Sequence, residues 1–452
     1  MSDTIAAIAT GMQVSAIGII RLSGPEAIGI VNRLFKPQSG KNMDSYPDRK
    51  LVYGSLENME GERLDLCLCT ISHGPMSYTG EDTAELQCHG SPTLLRAALE
   101  ELFRAGARQA LPGEFTKRAF LNGRMDLSSA EAVADIIDAE SVECVKNAAA
   151  QLSGAVTVKT EKIYSFLADI SSHYHAVLDY PDEDIEDFLL ESYLSGLRDA
   201  KRELYTLLKS FERGKLMTGG IPAAIVGRPN AGKSSLLNAL LGYERAIVTD
   251  IPGTTRDTIE EKLRIGRITL RLTDTAGIRD SEDKVEQLGV ERSRLAMEQA
   301  ELVIAVVDGS EETDGEDMEI IRHAEQAAKG ILVISKADLE QQSREISTTL
   351  PVVSISSLTG QGMDEFEKTI EELFPMPQVP AGEILTNLRH AQAVSAALES
   401  INAALEAMEY GATPDIVLTE AETAMAALGE LSGRSIREDV TNRIFQRFCV
   451  GK

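Results

Sequence analysis

A glycine-rich segment that could cradle phosphate groups stands near the middle of the chain. The pattern G-x-x-x-x-G-K-S is matched by Gly227-Arg228-Pro229-Asn230-Ala231-Gly232-Lys233-Ser234, directly after the apolar run Ala223 to Val226. Glycines allow successive backbone N–H groups to wrap phosphates, and the helix that follows such a loop offers its positive N-terminal end. In this pattern Lys233 reaches the β- and γ-phosphates and Ser234 ligates Mg²⁺. The segment therefore predicts a nucleoside triphosphate site.

Two downstream motifs could serve the metal and the γ-phosphate. The first is Asp274-Thr275-Ala276-Gly277, which follows the strand-like run Ile268 to Leu272. An acidic residue at a strand end can hold Mg²⁺ through water, and the glycine N–H can meet the γ-phosphate. The second is Gly253-Thr254-Thr255-Arg256-Asp257, which lies between this motif and the phosphate loop. A switch loop at that place supplies a threonine to the metal, here Thr255.

Two later motifs predict selectivity for guanine. Ser335-Lys336-Ala337-Asp338 follows the apolar run Ile331 to Ile334. Asp338 could accept paired hydrogen bonds from the N1 and N2 donors of guanine, which adenine lacks, while Lys336 covers the ring. Ser356-Ser357-Leu358 comes where a backbone N–H would meet guanine O6. Each tetrapeptide is weak evidence alone, but the five motifs in this order predict a GTP-binding domain.

The full set of predicted GTP contacts follows from these motifs and from the loop before Thr255. It comprises Asn230, Ala231, Gly232, Lys233, Ser234, Ser235, Thr249, Asp250, Ile251, Pro252, Gly253, Thr254, Thr255, Asp274, Thr275, Ala276, Gly277, Ser335, Lys336, Ala337, Asp338, Ser356, Ser357 and Leu358.

Two positions depart from the usual pattern. Ser335 stands where N-K-x-D motifs have asparagine, so the hydrogen-bonding group is kept but its reach is shorter. Ile278 follows Gly277 where Ras-like GTPases have a glutamine that orients the attacking water. Isoleucine cannot orient water. Either hydrolysis is feeble, or another residue has taken that role.

The hydrophobic pattern divides the chain into three parts. Residues 1–120 alternate strand-like and helical signals and predict an α+β domain. Residues 218–377 alternate short apolar runs with helical segments, which is typical of an α/β domain with a parallel sheet covered on both faces. Residues 121–217 and 378–452 have helical spacing, so these two separated segments most simply bury their apolar faces against each other. The α/β domain is then an insertion in an all-α domain.

Several elements can be placed within these parts. Ser128 followed by Glu131 matches a capping box, and Gly24-Pro25 a helix start. The acidic stretch Tyr180 to Asp184 contains a proline that breaks the helical run. Strands are predicted over Ser15 to Arg21, Leu51 to Leu56, Leu64 to Ile71, Ala84 to Gly90 and Leu302 to Val307, and a helix over Pro92 to Ala105.

Composition narrows the class of protein. A chain of 452 residues is too long for one compact hydrophobic core. Its content of 43% hydrophobic residues excludes a wholly disordered chain. Lys+Arg 45 against Asp+Glu 71 gives a net charge of -26, which opposes broad coating of nucleic acids but not binding at a local basic patch. We expect no signal peptide and no membrane span, and hence a cytoplasmic protein.

The cysteines indicate a reducing compartment. There are 5 of them, an odd number, and no pairing pattern is evident. Cys67-Leu68-Cys69 lies in a run of alternating apolar and polar residues. Two thiols on one face of a strand are therefore a simpler interpretation than a metal site. Cys449, near the end of the chain, receives no chemical role.

At this point the chain resembles the MnmE (TrmE) family of tRNA-modification GTPases over essentially its whole length. The resemblance rests on Gly227 to Asn238, on Asp250 to Asp257 and on the C-terminal Phe448-Cys449-Val450-Gly451-Lys452. Tyr78 to Asp82 and Pro112 to Thr116 add matches near the N-terminus. The terminal blocks are not shared by other GTPases, so the resemblance is specific.

The resemblance implies an N-terminal folate-binding domain that dimerises, a helical domain in two segments and an inserted Ras-like P-loop GTPase domain. It implies that the protein acts with an FAD-dependent partner, MnmG (GidA), in a heterotetramer-type complex. The implied reaction modifies C5 of the wobble uridine of certain tRNAs. A tetrahydrofolate derivative, 5-formyl- or methylene-tetrahydrofolate, supplies the one-carbon unit.

By position, the resemblance implies folate contacts at Arg21, Glu85 and Arg124, with Lys452 nearby. A carboxylate suits the N–H edge of a pterin ring, and an arginine suits the glutamate tail of the folate. The family often has lysine at position 124, so Arg124 keeps the charge and changes the geometry. Without the resemblance, Arg21 would be interpreted as a solvated strand end and Glu85 as half of a structural ion pair.

The resemblance also implies how hydrolysis proceeds without the glutamine. It implies that K⁺ supplies positive charge beside the phosphates, bound by the side chain of Asn230, with two GTPase domains meeting across the dimer. Glu286 would position the water through a second water, so the catalytic residues would be Glu286 and Lys233. From sequence position alone, Asn230 could simply cap the phosphate loop and Glu286 could be a solvated helix residue. The remaining K⁺ ligands would be Thr249, Ile251 and Thr254.

Two alternatives belong to other functional classes. The first is a regulatory GTPase switch that binds RNA or assembles ribosomes. Such factors usually carry a basic RNA-binding module, whereas this chain has a net charge of -26. The second is a helical dimerising scaffold with a vestigial GTPase domain, which the complete phosphate loop argues against.

Overall fold

A computed structural model describes residues 3–179, 190–242, 261–266, 268–272, 300–342, 346–375, 382–434, 441, 444–446 and 448–451. The chain divides into two compact units. Unit 1 comprises residues 1–138, 148–205 and 392–452, and unit 2 comprises residues 139–147 and 206–391. The predicted Tyr180 to Asp184 break lies outside the described residues. The predicted domain boundaries at 120, 217 and 377 stay a prediction.

Unit 1 contains a seven-stranded sheet whose strand order is β3-β4-β5-β6-β2-β1-β7. Its pairs are antiparallel except for the parallel pair of β1 and β7. The alternating runs form the predicted strands because alternate side chains enter the core. The strands are β1 Ile5–Ile8, β2 Ser15–Ser23, β3 Phe35–Pro37, β4 Val52–Glu57, β5 Arg63–Ser72, β6 Thr83–Gly90 and β7 Arg108–Gln109.

Two helices pack against this sheet and share its hydrophobic core. Helix α2, Pro92–Arg104, begins as predicted: Ser91 caps it by accepting a hydrogen bond from Leu94 N, and proline occupies the first turn. Helix α1, Ala27–Leu34, begins two residues after Pro25, with Glu26 at the N-cap position. The predicted start at Gly24-Pro25 was therefore too early.

Unit 1 also contains helical segments from two separated parts of the chain. Helix α6, Ala155–Asp179, packs along helix α12, Pro414–Ser432. Both helices bury apolar residues in this contact, as predicted for two separated amphipathic segments. The capping box at Ser128 was wrong. The N-cap of α4 is Asp126, whose carboxylate accepts from Ser129 N, because an aspartate two residues earlier satisfies the helix end first. Between residues 114 and 219 the described helices are α3 Glu114–Leu121, α4 Leu127–Ile137, α5 Val142–Leu152, α6 Ala155–Asp179 and α7 Leu190–Gly219.

Unit 2 contains a six-stranded sheet whose strand order is β13-β12-β11-β8-β10-β9. The pairs from β13 to β10 are parallel, as predicted, and β9 is antiparallel to β10 at the edge. The edge strand β9 was not predicted from the sequence; it is followed by a turn at Gly266. The strands are β8 Ile221–Val226, β9 Glu261–Ile265, β10 Ile268–Leu272, β11 Leu302–Asp308, β12 Lys329–Ser335 and β13 Val352–Ser354.

Apolar clusters on both faces hold the central strands of this sheet. All seven residues of β11 are buried, which explains the unbroken apolar run of its first six. Each fully buried valine, leucine or isoleucine stabilises the fold by about 1.5–3 kcal/mol. The helices described in this part of the chain are α8 Lys233–Gly242, α9 Gly315–Gln326 and α10 Met363–Leu373, followed by α11 Leu388–Glu409.

Candidate functional site

The phosphate loop joins the end of β8 to the start of α8. Two of its residues have left-handed backbone conformations, with φ 63 at Asn230 and φ 96 at Gly232. Glycine adopts this region freely, and asparagine tolerates it better than other residues that carry a Cβ. Helix α8 begins at Lys233. The loop therefore turns its backbone into the first turn of a helix, which is the arrangement that binds phosphate groups.

Lys233 is held within this loop. Its Nζ donates to the carbonyl oxygens of Gly227 at 2.7 Å and Arg228 at 2.6 Å. Burial lowers the pKa of Lys233 from its ordinary value. Neutral carbonyls stabilise a partly buried ammonium less than anions do, so an incoming phosphate gains a strong electrostatic partner here. Ser234 and Ser235 follow in the first turn of α8.

The predicted base motif begins at the carboxyl end of β12 and contacts the phosphate loop. Ser335 is buried, and its Oγ donates to Ala231 O at 2.7 Å although the two residues are 104 positions apart. Such a bond contributes about 0.5–1.5 kcal/mol. The serine that replaces the usual asparagine therefore still joins the base motif to the phosphate loop.

The carboxylate of Asp338 is oriented by the neighbouring loop. Ser356 is buried, and its Oγ donates to Asp338 Oδ1 at 2.6 Å. Ala337 N donates to Ile355 O at 3.1 Å, which ties the two loops together. Ser356 N donates to Gln361 O at 3.0 Å, so the predicted contact to guanine O6 is left to the N–H groups of Ser357 and Leu358.

Two residues that support the nucleotide motifs were not identified from the sequence. Asp308, the last residue of β11, is buried and pairs through Oδ2 with the Nζ of Lys336. Burial opposes its ionisation, but the hydrogen bonds from Lys336 and Ser310 outweigh burial and lower the pKa of Asp308. Its position at the carboxyl end of an apolar run was the available signal. The pair orients Lys336, the residue predicted to cover the base.

Arg228 is the second missed residue. Its guanidinium pairs with Glu311 at 3.0 Å, with Asp317 at 3.3 Å and with Asp314. Asp314 caps helix α9 and forms a capping box with Asp317. These ion pairs anchor the start of the phosphate loop to the segment after β11. The acidic run after the strand was the available signal.

Part of the predicted site cannot be placed. Thr249 to Thr255, Asp274 to Gly277, Glu286 and Lys452 lie outside the described residues. The described phosphate-loop and base motifs meet at the carboxyl ends of β8 and β12, where parallel α/β sheets bind their ligands.

A second candidate site lies in unit 1, where Arg21 and Glu85 are opposite each other on β2 and β6. Arg21 Nε and Glu85 Oε1 form an ion pair at 2.8 Å, with both side chains partly exposed. The guanidinium lies 5.6 Å from the ring centroid of Tyr78 and 5.8 Å from that of Phe115. The structural ion pair weighed for Glu85 is therefore present, and it lies beside two aromatic rings.

Arg124 approaches the same loop as Tyr78. Gly80 has φ 78, and a Cβ there would lie 3.3 Å from Arg124 Cγ. Asn122 Nδ2 donates to Thr79 O at 2.7 Å, which ties the end of α3 to this loop. The loop thus contacts both arginines predicted to bind folate, and Arg124 is exposed to solvent.

A buried arginine that was not identified from the sequence forms ion pairs beside the loop that contains Tyr78 and Gly80. Arg118 is 3% exposed, and its guanidinium pairs with Glu81 at 3.0 Å and with Glu114 at 3.0 Å. Burial disfavours its charge, yet the hydrogen bonds that Arg118 donates to the two glutamates outweigh burial and raise the pKa of Arg118. Its place in the block after Pro112, together with the acidic Glu81 in the block after Tyr78, was the available signal.

The end of the chain packs against the N-terminal sheet. Val450 forms an antiparallel bridge with Pro112, and Gly113 N donates to Cys449 O at 3.3 Å. Gly451 has φ 101, and a Cβ there would lie 2.5 Å from Ile8 O. Only glycine fits this close approach to β1, which explains the residue before Lys452.

No helix among the described residues is long and apolar enough to span a bilayer.

Comparison with protein families and curated relatives gives consistent matches. Residues 4–124 match the family described as GTP-binding protein TrmE N-terminus, and residues 127–449 match the MnmE helical domain. The chain is 40% identical over 460 residues to the tRNA modification GTPase MnmE of Alkaliphilus oremlandii, covering 100% of both chains. It is 39% identical over 459 residues to that of Bacillus subtilis, again covering 100% of both.

Among solved structures, the G domain of the T. maritima FeoB iron transporter is 26% identical, with a TM-score of 0.25. It covers 34% of this chain and 98% of that chain.

Proposed function

Because this chain belongs to the MnmE family of tRNA modification GTPases and is a GTP hydrolase, we propose that it modifies the wobble uridine of certain tRNAs at C5. In this proposal it acts as a homodimer with the FAD-dependent partner MnmG. A tetrahydrofolate derivative donates the one-carbon unit, and GTP hydrolysis drives the cycle of the complex.

The hydrogen bond between Ser335 and Ala231 carries the nucleotide part of the proposal. It couples the base motif to the phosphate loop, so binding of guanine and of phosphate groups depends on one connected structure. Lys233 would meet the β- and γ-phosphates, and Asp338 would accept from the guanine edge. Lys233 is held within the phosphate loop by Gly227, and Asp338 is held by Ser356 of the neighbouring loop. These contacts support both roles.

The residues present fit the two cations of the proposal. Ser234 lies in the first turn of α8, where its hydroxyl can ligate Mg²⁺, and Thr255 would be the second protein ligand. Asn230, whose backbone is turned by its positive φ, would offer its side-chain carbonyl to K⁺. Bound Mg²⁺ and K⁺ neutralise charge that develops on the phosphates. Glu286 would orient the attacking water in place of the absent glutamine, and the other K⁺ ligands would be Thr249, Ile251 and Thr254.

The folate part of the proposal is supported by the surroundings of Arg21. Glu85 offers a carboxylate to the N–H edge of a pterin, and Tyr78 and Phe115 offer aromatic surface beside it. Arg124, exposed at the adjacent loop, would pair with a carboxylate of the glutamate tail. Lys452, which directly follows the packed Gly451, would lie at the edge of this site.

The proposed function predicts a specific change in tRNA. Cells that lack this gene should contain wobble uridines without the C5 substituent, as measured by mass spectrometry of nucleosides. The wild-type gene should restore the modified nucleoside. A gene encoding Lys233→Ala should fail, and one encoding Lys201→Ala, which removes an exposed lysine on α7, should restore it. An unchanged nucleoside profile in the deletion strain would favour the ribosome-assembly alternative.

Folate binding should be measurable without GTP. Calorimetry with 5-formyl-tetrahydrofolate should show binding by the full-length protein. Arg124→Ala should weaken the affinity about tenfold to a hundredfold, because a charged hydrogen bond contributes about 1.5–3 kcal/mol. Arg96→Ala, which removes an exposed arginine on α2, is the matched control and should bind normally. No heat with the wild-type protein would remove the folate assignment and leave the nucleotide assignment intact.

A further inference from the structure

Three side chains able to ligate a metal meet in the N-terminal sheet. Asp65 and Cys67 lie on β5, and Cys88 lies on β6. One carboxylate oxygen and the two sulfur atoms all lie within 4.8 Å of one another. Alternate residues of a strand point to opposite faces, so Cys88 lies on the face opposite Glu85 of the candidate folate site.

The register of the sheet brings the two thiols together. Strands β5 and β6 are antiparallel, with Leu68 opposite Gln87 as the last pair of their ladder at this end. One step further places Cys67 opposite Cys88. Both cysteines are buried, at 4% and 2% exposure. The C-x-C pair considered from the sequence is thus not the relevant one, because the partner of Cys67 comes from the neighbouring strand.

Glycines flank the two thiols within the sheet. Gly54 of β4 is opposite Cys67, and Gly18 of β2 is opposite Cys88. The space above Gly54 is taken by the carbonyl oxygen of Lys36 and the ring of Phe35, and the space above Gly18 by the side chain of Leu95. The two thiols are therefore enclosed by packed neighbours.

Asp65 is held in place at the open end of this row. Its side chain is only 8% exposed. Oδ1 accepts from His89 Nδ1 at 2.7 Å and from Leu66 N at 2.8 Å, while Oδ2 accepts from His89 N at 2.9 Å. A carboxylate has about four acceptor positions, so one remains for a further ligand. Hydrogen bonds of this kind orient a ligating carboxylate.

The donor set suits a thiophilic divalent cation. Zinc accepts sulfur and carboxylate ligands together, and three protein ligands leave a fourth position for water. Metals bind the thiolate form of cysteine, so a bound cation would displace one proton from each sulfur.

We propose that Asp65, Cys67 and Cys88 form a zinc site that joins β5 to β6 beyond the last pair of their ladder. The ion would stabilise the fold of the N-terminal sheet, since it binds donors that the unfolded chain does not hold together. His89 acts through Asp65 as a positioning residue.

Cobalt(II) is the probe for this site, because its thiolate complexes absorb strongly in the near ultraviolet. The full-length protein carries Cys449→Ser to remove the exposed thiol. One cobalt per chain should produce the thiolate charge-transfer band, and zinc should displace it. Cys67→Ser and Cys88→Ser should each abolish the band. Cys69→Ser is the matched control and should keep it, because Cys69 is a buried thiol of the same strand outside the cluster.

Two further variants keep the test decisive if the serine variants do not fold by circular dichroism. Asp65→Asn should weaken cobalt binding at least about tenfold, and His89→Ala about 10- to 100-fold. The proposal is overturned by a parent protein without the band, or by a band that survives in folded Cys67→Ser. It is equally overturned if Cys67 and Cys88 form a disulfide in reducing buffer with excess cobalt. Such a bond makes the protein two hydrogens lighter.

Discussion

Replacing Asp338 with asparagine should move the preference of the base site from guanine to xanthine nucleotides. The carboxylate would accept from guanine N1 and N2, and charged hydrogen bonds contribute about 1.5–3 kcal/mol each. The Ser356 hydroxyl that donates to Asp338 Oδ1 can still donate to the new amide oxygen, so the side chain keeps its orientation. Its NH₂ group then faces the base, where it opposes the guanine N2 donor and suits the xanthine C2 carbonyl.

We expect the affinity of Asp338→Asn for GTP to fall on the order of a hundredfold or more, and the affinity for xanthosine triphosphate to rise. Equilibrium binding of fluorescent GTP and xanthosine triphosphate measures both. Glu340→Gln removes one negative charge two residues further along the exposed loop and should bind GTP like the parent. Unchanged GTP binding by Asp338→Asn would mean that guanine binds elsewhere.

Hydrolysis should be faster in K⁺ than in Na⁺ at equal ionic strength. In the proposal, K⁺ would supply positive charge beside the phosphates, as an arginine finger does in other GTPases. Removing one preorganised group that stabilises transition-state charge costs on the order of 10²–10³ in kcat. Among the proposed K⁺ ligands, Asn230 is the one that lies within the described residues. Because Asn230 has φ 63, replacement by alanine also strains the phosphate loop. Asn230→Gly removes the side-chain carbonyl without that strain and is the cleaner variant.

The expected result is that Asn230→Gly hydrolyses GTP at one slow rate in both salts while it still binds GTP. Glu286→Ala should also bind GTP and lose turnover, because no group then orients the water. Steady-state phosphate release and fluorescent-nucleotide binding separate the two steps. Equal parental rates in K⁺ and Na⁺ would exclude the cation mechanism, and a fully active Glu286→Ala would remove that residue from catalysis.

Local structure carried by a contiguous segment was predictable from sequence. The phosphate loop needs a strand end, residues such as Asn230 and Gly232 that tolerate a left-handed backbone, and a helix start within a few residues, and all of these are local. The base motif after β12 is local in the same way. Strands such as β2, β5, β6 and β11 were predictable because their apolar pattern matches their burial, whereas β1, β3, β7, β9 and β13 were not predicted.

Contacts between distant segments were decided by the tertiary structure. Ser335 looked like a shortened asparagine, but the parallel register of β12, β11 and β8 places its hydroxyl against Ala231. Arg228 occupies a variable position of the phosphate-loop motif and Asp308 belongs to no motif, and only the packing of their loops gives them partners.

The same distinction separates the two interpretations of Cys67. Its own strand carries Asp65 and Cys69 two residues away on either side, whereas the antiparallel register of β5 and β6 brings Cys88 beside it from the neighbouring strand. The sequence by itself determines the types of donor and the local backbone that each residue prefers. The register, which is set by burying one face of every strand at once, decides which donors meet.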